Sequence, residues 1–193
     1  MLDQPPRIDA ALGQRLRALR RAGGLTLDAL ARRAGVSRAM LSRIERGESS
    51  PTAHLLNRLC GGLAITLSAL FAAAETTLSP LARHADQPVW RDPASRYLRR
   101  AVSPPDPAGS VDIVEILFPP SADVAFAPQT PPGADQHIWV LDGTLEVTLG
   151  TDLIRLEVGD CLRTGLHHPI RFRNRSAAPV RYAVIVSHPA RRP

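Results

Sequence analysis

Residues 25 to 52, LTLDALARRAGVSRAMLSRIERGESSPT, constrain the fold more than any other stretch, because they encode two short helices around one tight turn. Leu27, Leu30, Ala31 and Ala34 recur at helical spacing, Thr26 stands where its hydroxyl caps the first turn, and Asp28 sits near the positive end of the helix. Gly35 takes positive φ without strain, and Ser37 caps a second helix that carries Met40, Leu41 and Ile44 on its apolar side and ends at Gly47. The turn is too short for the helices to run antiparallel. Ala31, four residues before the glycine, leaves room for them to cross closely.

Opposite the apolar stripe, Arg38, Ala39, Ser42 and Arg43 point outward. Two arginines and two small residues suit a DNA major groove, where arginine donates two hydrogen bonds to guanine and small side chains permit close approach. The charge supports this reading. The chain holds 24 basic residues, all arginine, and 18 acidic ones. Eleven arginines and five acids precede residue 74, whereas the remainder carries 13 of each. The whole net charge of +6 therefore falls on the first third, as a domain that displaces counterions from phosphate requires.

Leu12, Leu16 and Leu19 place a preceding helix on the same core. After the turn unit, Pro51-Thr52 opens a helix with Leu55, Leu56, Leu59 and Leu63, and Thr66-Leu67 starts a last one ending near Phe71. Pro80, Pro88 and Pro93 then break any helical pattern, although Trp90 and Tyr97 imply that the end of this connector docks against something. Beyond residue 97 the period becomes strand-like, at 111–118, 137–143, 144–150, 161–165, 170–174 and 180–187, with Asp142-Gly143 as a hairpin signal. Short strands at regular spacing call for a sandwich or barrel. The expected organisation is α + β in two domains: five helices over 8–73, a connector over 74–96, and an all-β domain over 97–189. With no signal core and no long apolar run, a cytoplasmic protein that does not enter a membrane is expected. Cys60 and Cys161 each read as a buried structural thiol.

Residues 12 to 71 resemble the lambda-repressor-like helix-turn-helix domain of the xenobiotic-response-element type, through LGQRLRALRRAGGLTLDALARRAGVS and LSRIERGESSPT. The resemblance implies that Arg38, Ala39 and Arg43 face base edges, that Ser37, Ser42 and Arg46 lie by the DNA backbone, and that Arg20 pairs with Glu45 to orient the recognition helix. Leu27 stands where many members carry a glutamine that touches phosphate, so that contact is not carried over. Residues 98 to 187 resemble a cupin, a double-stranded β-helix barrel, through PPGADQHIWVLDGTLEVTLG and LEVGDCLRTGLHHPIRFRN. Together they resemble a class of bacterial transcription regulators in which the barrel senses a small effector and promotes dimerisation. The resemblance implies a homodimer on an inverted-repeat operator in double-stranded DNA, repression being the commoner outcome.

Metal-binding cupins place two His and a Glu in the first motif and a third His in the second. Here Gln136 stands at the Glu position, the paired-His positions fall among Gln129, Thr130, Pro131 and Pro132, and Ile170 takes the third. The expectation is no metal, no cofactor and no catalytic residue. His137, His167 and His168 leave a displaced site open, although alternation turns His137 away from the face of Gln136. With the usual inward face, Gln136, Ile138, Val140, Ile170 and Phe172 point into the barrel and His168 lies at its mouth, forming either a small-molecule pocket or a filled core. His137 and Trp139 fall on the other face, most simply as a packing histidine beside a core indole. Two alternatives stand beside the sensor reading. One is a metal-dependent cupin enzyme fused to a helix-turn-helix domain, as in epoxidases or dioxygenases of this domain order; the other is a regulator whose barrel only dimerises.

Overall fold

The computed structural model describes residues 8–71, 79–104, 111–128 and 134–187. Five helices come first: α1 (Ile8–Ala22), α2 (Leu27–Ala34), α3 (Arg38–Glu45), α4 (Ala53–Leu63) and α5 (Leu67–Phe71). Each of the three middle helices starts on a hydroxyl, Thr26 accepting from the Ala29 amide at 3.1 Å, Ser37 from Met40 at 3.1 Å and Thr52 from Leu55 at 3.3 Å. Gly35, at φ 62°, ends α2 and returns its amide to the carbonyls of Ala31 and Arg32, so the chain re-enters a helix after three residues. Leu16, Leu30, Leu41, Ile44, Leu56 and Leu59 are fully buried between the helices. The crossing of α1 and α3 is backbone to backbone: a Cβ on Gly13 would lie 2.2 Å from the Ile44 carbonyl oxygen.

Ten strands follow: β1 (Val89–Arg91), β2 (Leu98–Ala101), β3 (Val111–Phe118), β4 (Asp123–Phe126), β5 (Asp135–Asp142), β6 (Leu145–Leu149), β7 (Asp152–Leu156), β8 (Cys161–Gly165), β9 (Ile170–Arg173) and β10 (Val180–Ser187). They form a six-stranded sheet ordered β1-β2-β3-β10-β5-β8 and a four-stranded sheet ordered β4-β9-β6-β7. Alternation puts Val114, Ile116, Phe118, Ile138 and Val140 of the first sheet, and Leu145, Val147, Ile170 and Phe172 of the second, into one buried interior. The architecture is α + β, a helical domain followed by a β-barrel.

Three local expectations are corrected. Asp142-Gly143 is a turn, with Gly143 at φ 81°, but not a hairpin. β5 pairs with β8 and β10 while β6 pairs with β7 and β9, so the chain changes sheets there. The hairpin comes next, where Leu149 pairs with Asp152 across Gly150 and Thr151. Trp139 is not a core indole. It is 47% exposed, because the outer face of the six-stranded sheet, where its cross-strand partners are Ala183 and Cys161, is left uncovered by the described chain. Cys161, on the same uncovered face, is exposed and not the buried thiol expected. Cys60 is buried as expected, and burial pushes its thiol up to about 12.

The aromatic side chains join the two domains. Seven of the eight in the sequence form one continuous series of ring contacts, Phe71–Trp90–Tyr97–Phe118–Tyr182–Phe172–Phe126, with centroids 5.5 to 6.0 Å apart. It begins on α5, passes through the barrel interior and ends at half-buried Phe126 on β4, and only Trp139 stands outside it. Around it the seam is polar. The Asp92 carboxylate accepts from the Ala53 amide at 2.8 Å, capping α4 from the other domain, and Asn57 Nδ2 donates to the Ala127 carbonyl at 3.0 Å.

Candidate nucleic-acid interface and barrel cavity

The recognition helix α3 is fixed from behind and open in front. Behind it, Arg20 of α1 grips Glu45 with two parallel bonds, Nε to Oε1 at 2.6 Å and Nη2 to Oε2 at 2.8 Å, and gives Nη1 to the Leu25 carbonyl at 2.8 Å. Both side chains are under 10% exposed, and the Glu45 carboxylate raises the Arg20 pKa. In front, Ser37, Arg38, Ala39, Arg43 and Arg46 are exposed and Ser42 is half-buried. The six side chains share the face of α3 that the described residues leave open to solvent. Arg38 is loosely held, 3.5 Å from the Asp28 carboxylate with both groups in solvent. Ser37 already spends its hydroxyl as the cap of α3. Arg46 is paired most firmly, donating to both oxygens of Glu48 at 2.6 and 2.7 Å and to the Ser42 hydroxyl, and the Arg46 guanidinium holds the Glu48 carboxyl below its ordinary range. A phosphate reaching Arg46 must therefore compete with Glu48.

In the barrel, a cavity of about 90 Å³ opens between the inner face and the first residues of α5. Of the residues read from the sequence as inward-facing, Gln136, His168, Ile170 and Phe172 line it, with His168 exposed at the mouth. Ile138 and Val140 do not: they are 0% and 1% exposed and fill the core away from it. The interior is thus filled at one end and hollow at the other. Several lining residues escaped sequence reasoning. Thr66, Leu67 and Ser68 come from the helical domain, and Tyr97 and Arg99 from the edge of the barrel. Arg99 is 5% exposed, donates Nη2 to the Ser68 hydroxyl at 2.9 Å and stacks 4.5 Å over the Phe71 ring. The signal that could have found it is an arginine at an inward position of a strand, in LRRA at 98–101.

A metal does not fit the residues present. Gln136 and Ile170 occupy two of the ligand positions of metal-binding cupins, and Gln129 to Pro132 lie outside the described residues. Among the described residues no group of three His, Cys, Asp or Glu converges on one point. His137 is half-buried on the outer face, away from the cavity, and the rings of His167 and His168 lie 4.1 Å apart without a third donor beside them. Among the described residues no helix is long and apolar enough to cross a membrane.

A bihelical turn with a basic open face, followed by a two-sheet barrel, is the build of a transcriptional regulator of the helix-turn-helix and cupin class. Residues 11–72 match the family described as helix-turn-helix domain and residues 115–186 the family described as cupin domain. The chain is similar to the HTH-type transcriptional regulator SutR of Escherichia coli (strain K12), at 29% identity over 180 residues, covering 92% of this chain and 95% of that one. It is also similar to the crystal structure of an HTH_3 family transcriptional regulator from Vibrio cholerae, with TM-score 0.76, 28% identity, and 94% and 97% of the two chains covered. That coverage spans both domains. The structure of hydroxypropylphosphonic acid epoxidase from S. wedmorenis aligns over 93% of this chain and 97% of its own at 17% identity with TM-score 0.42, too distant for any function to transfer.

Proposed function

We propose that this DNA-binding regulator acts in the cytoplasm as a homodimer, each α3 entering the major groove of one half of an inverted-repeat operator, while the barrel takes a small effector and performs no catalysis. Arg38, Ala39 and Arg43 would read base edges, and Ser37, Ser42 and Arg46 would lie along the backbone. The observation that carries this reading is the open basic face of α3, held in place by the buried Arg20–Glu45 pair rather than by anything on the face itself.

Dimerisation rests on a second observation. Val111, Ile113, Leu117 and Trp139 are 38 to 47% exposed on the outer face of the six-stranded sheet. A two-fold axis on this face would cover the apolar residues of both copies with one another. The cavity supports effector binding over a barrel that only dimerises, and Gln136 and Ile170 at two of the cupin ligand positions support a sensor over a metal enzyme. A fluorescence anisotropy titration against duplexes from around the protein's own gene tests the reading, with light scattering of the complex. Two chains per specific site and a steep loss of affinity with salt are expected. Equal affinity for unrelated duplexes, or one chain per site, would overturn it.

A further inference from the structure

We propose that the cavity between α5 and the barrel takes a small monocarboxylate with an apolar body, its carboxylate bound by Arg99, so that both domains touch the effector. The inference rests on the reading of the barrel as a sensor and names what it senses.

Arg99 is the reason. A guanidinium buried to 5% exposure ordinarily has a carboxylate against it, since a buried charge without a counter-charge is expensive. Among the described residues no salt bridge supplies one; the Asp112 carboxylate acts on Arg99 through space and raises its pKa, but by less than burial lowers it. Its hydrogen-bond partner is the neutral Ser68 hydroxyl, and its second support is the face of Phe71. Burial pulls the Arg99 pKa down to about 10, so the side chain stays charged at neutral pH. It lies on the wall of the cavity rather than in packed core, and the planar fork has donors to spare for the two oxygens of a carboxylate.

The rest of the wall sets the body of the ligand. Ile116, Val124, Phe126, Ile170 and Phe172 are apolar. At roughly 10–15 Å³ for each water-sized position, 90 Å³ admits about six heavy atoms. Phosphate and sulfate fit this chemistry poorly, because at neutral pH they bring up to two negative charges and no apolar surface to a site with one cation. The wall also carries the coupling. Thr66, Leu67 and Ser68 belong to the helical domain, and Ser68 already shares the guanidinium. A carboxylate on Arg99 would therefore alter a bond that ties the DNA-reading domain to the barrel.

Butyrate and butyramide have the same size and differ in charge, so calorimetric titration of the full chain with each is the test. Formate, acetate, propionate, pyruvate, inorganic phosphate and sulfate complete the series. Ligands this small bind in the millimolar range, so titrations run to about 50 mM. Butyrate or another monocarboxylate of the series should bind about tenfold or more tightly than butyramide. Arg99→Gln should abolish the difference, and Arg99→Lys, which keeps the charge and loses the fork, should reduce it. The wild-type comparison stands even where a variant does not fold. No binding by any monocarboxylate, or equal binding of acid and amide, would overturn the ligand class. DNA affinity of the same preparation separates the two readings: intact operator binding with no carboxylate binding overturns this inference alone, whereas carboxylate binding without specific DNA binding overturns the regulator reading alone. Carboxylate binding that leaves operator affinity unchanged would keep the ligand class and overturn the coupling.

Discussion

Removing one member of the Arg20–Glu45 pair should cost far more than removing both. In Glu45→Leu, the guanidinium keeps only its 2.8 Å bond to the Leu25 carbonyl and is left buried with two of its donors unmatched. Breaking a buried pair in this way costs about 3–5 kcal/mol, and Arg20→Met should fall in the same range by stranding the carboxylate. Arg20→Met with Glu45→Leu replaces both charges by apolar groups of similar length, and should lie within about 1 kcal/mol of the wild type. The coupling energy across the cycle is thus about 5 kcal/mol or more. All five α-helices belong to the first domain, so the 222 nm ellipticity followed through a urea titration reports this domain. A domain of this size loses about 4–8 °C of melting temperature per kcal/mol, which places the single variants at least about 12 °C below the wild type. Single variants costing less than about 1 kcal/mol, or a double variant as damaged as either single, would refute the claim that burial governs this pair.

Other expectations are smaller in scope. Arg43→Ala and Arg38→Ala should each weaken specific operator binding by about 1–3 kcal/mol where the side chain reads a base, while equal loss on unrelated duplexes would assign the residue to phosphate. Gly13→Ala drives a methyl group to 2.2 Å from the Ile44 carbonyl oxygen; it should destabilise the helical domain by about 1–3 kcal/mol in urea titrations and weaken DNA binding with it. Trp139→Arg should convert dimer to monomer in light scattering without lowering the unfolding midpoint of the monomer. In the proposed dimer Cys161, paired across strands with Trp139, should react with a maleimide more slowly than in that variant, and Cys60 should react in neither until the chain unfolds.

The helical domain was legible because its information is local. Thr26, Ser37 and Thr52 each announce a helix that begins at the next residue, and Gly35 closes one, so position along the chain translates directly into structure. The resemblance of the sequence also implied the Arg20–Glu45 pair, which the structure contains. The barrel was legible strand by strand in its longer members but not in its connections. The dipeptide Asp142-Gly143 encodes a turn, and whether the next strand pairs back or crosses to the other sheet is decided by β7, β9 and β10, which lie downstream. Trp139 failed for a related reason: alternation tells which face a side chain takes, and only the finished sheet order tells whether that face is covered. The cavity was half legible. Gln136, Ile170 and Phe172 follow from alternation within their strands, whereas Ser68 and Arg99, 31 residues apart, meet only because one domain docks on the other.

The division of the aromatic residues gives the protein two separate optical reporters. Trp90 sits at the joint between the domains, wedged between Phe71 and Tyr97 with its Nε1 buried and unbonded, and should emit at short wavelength until that joint opens. Trp139 stands half exposed on the outer face of the sheet, apart from the other rings, and should emit at longer wavelength until a second chain covers it. A red shift therefore marks loosening within one chain and a blue shift marks association between two. Replacing either indole by phenylalanine would leave a protein in which a single colour change follows a single event.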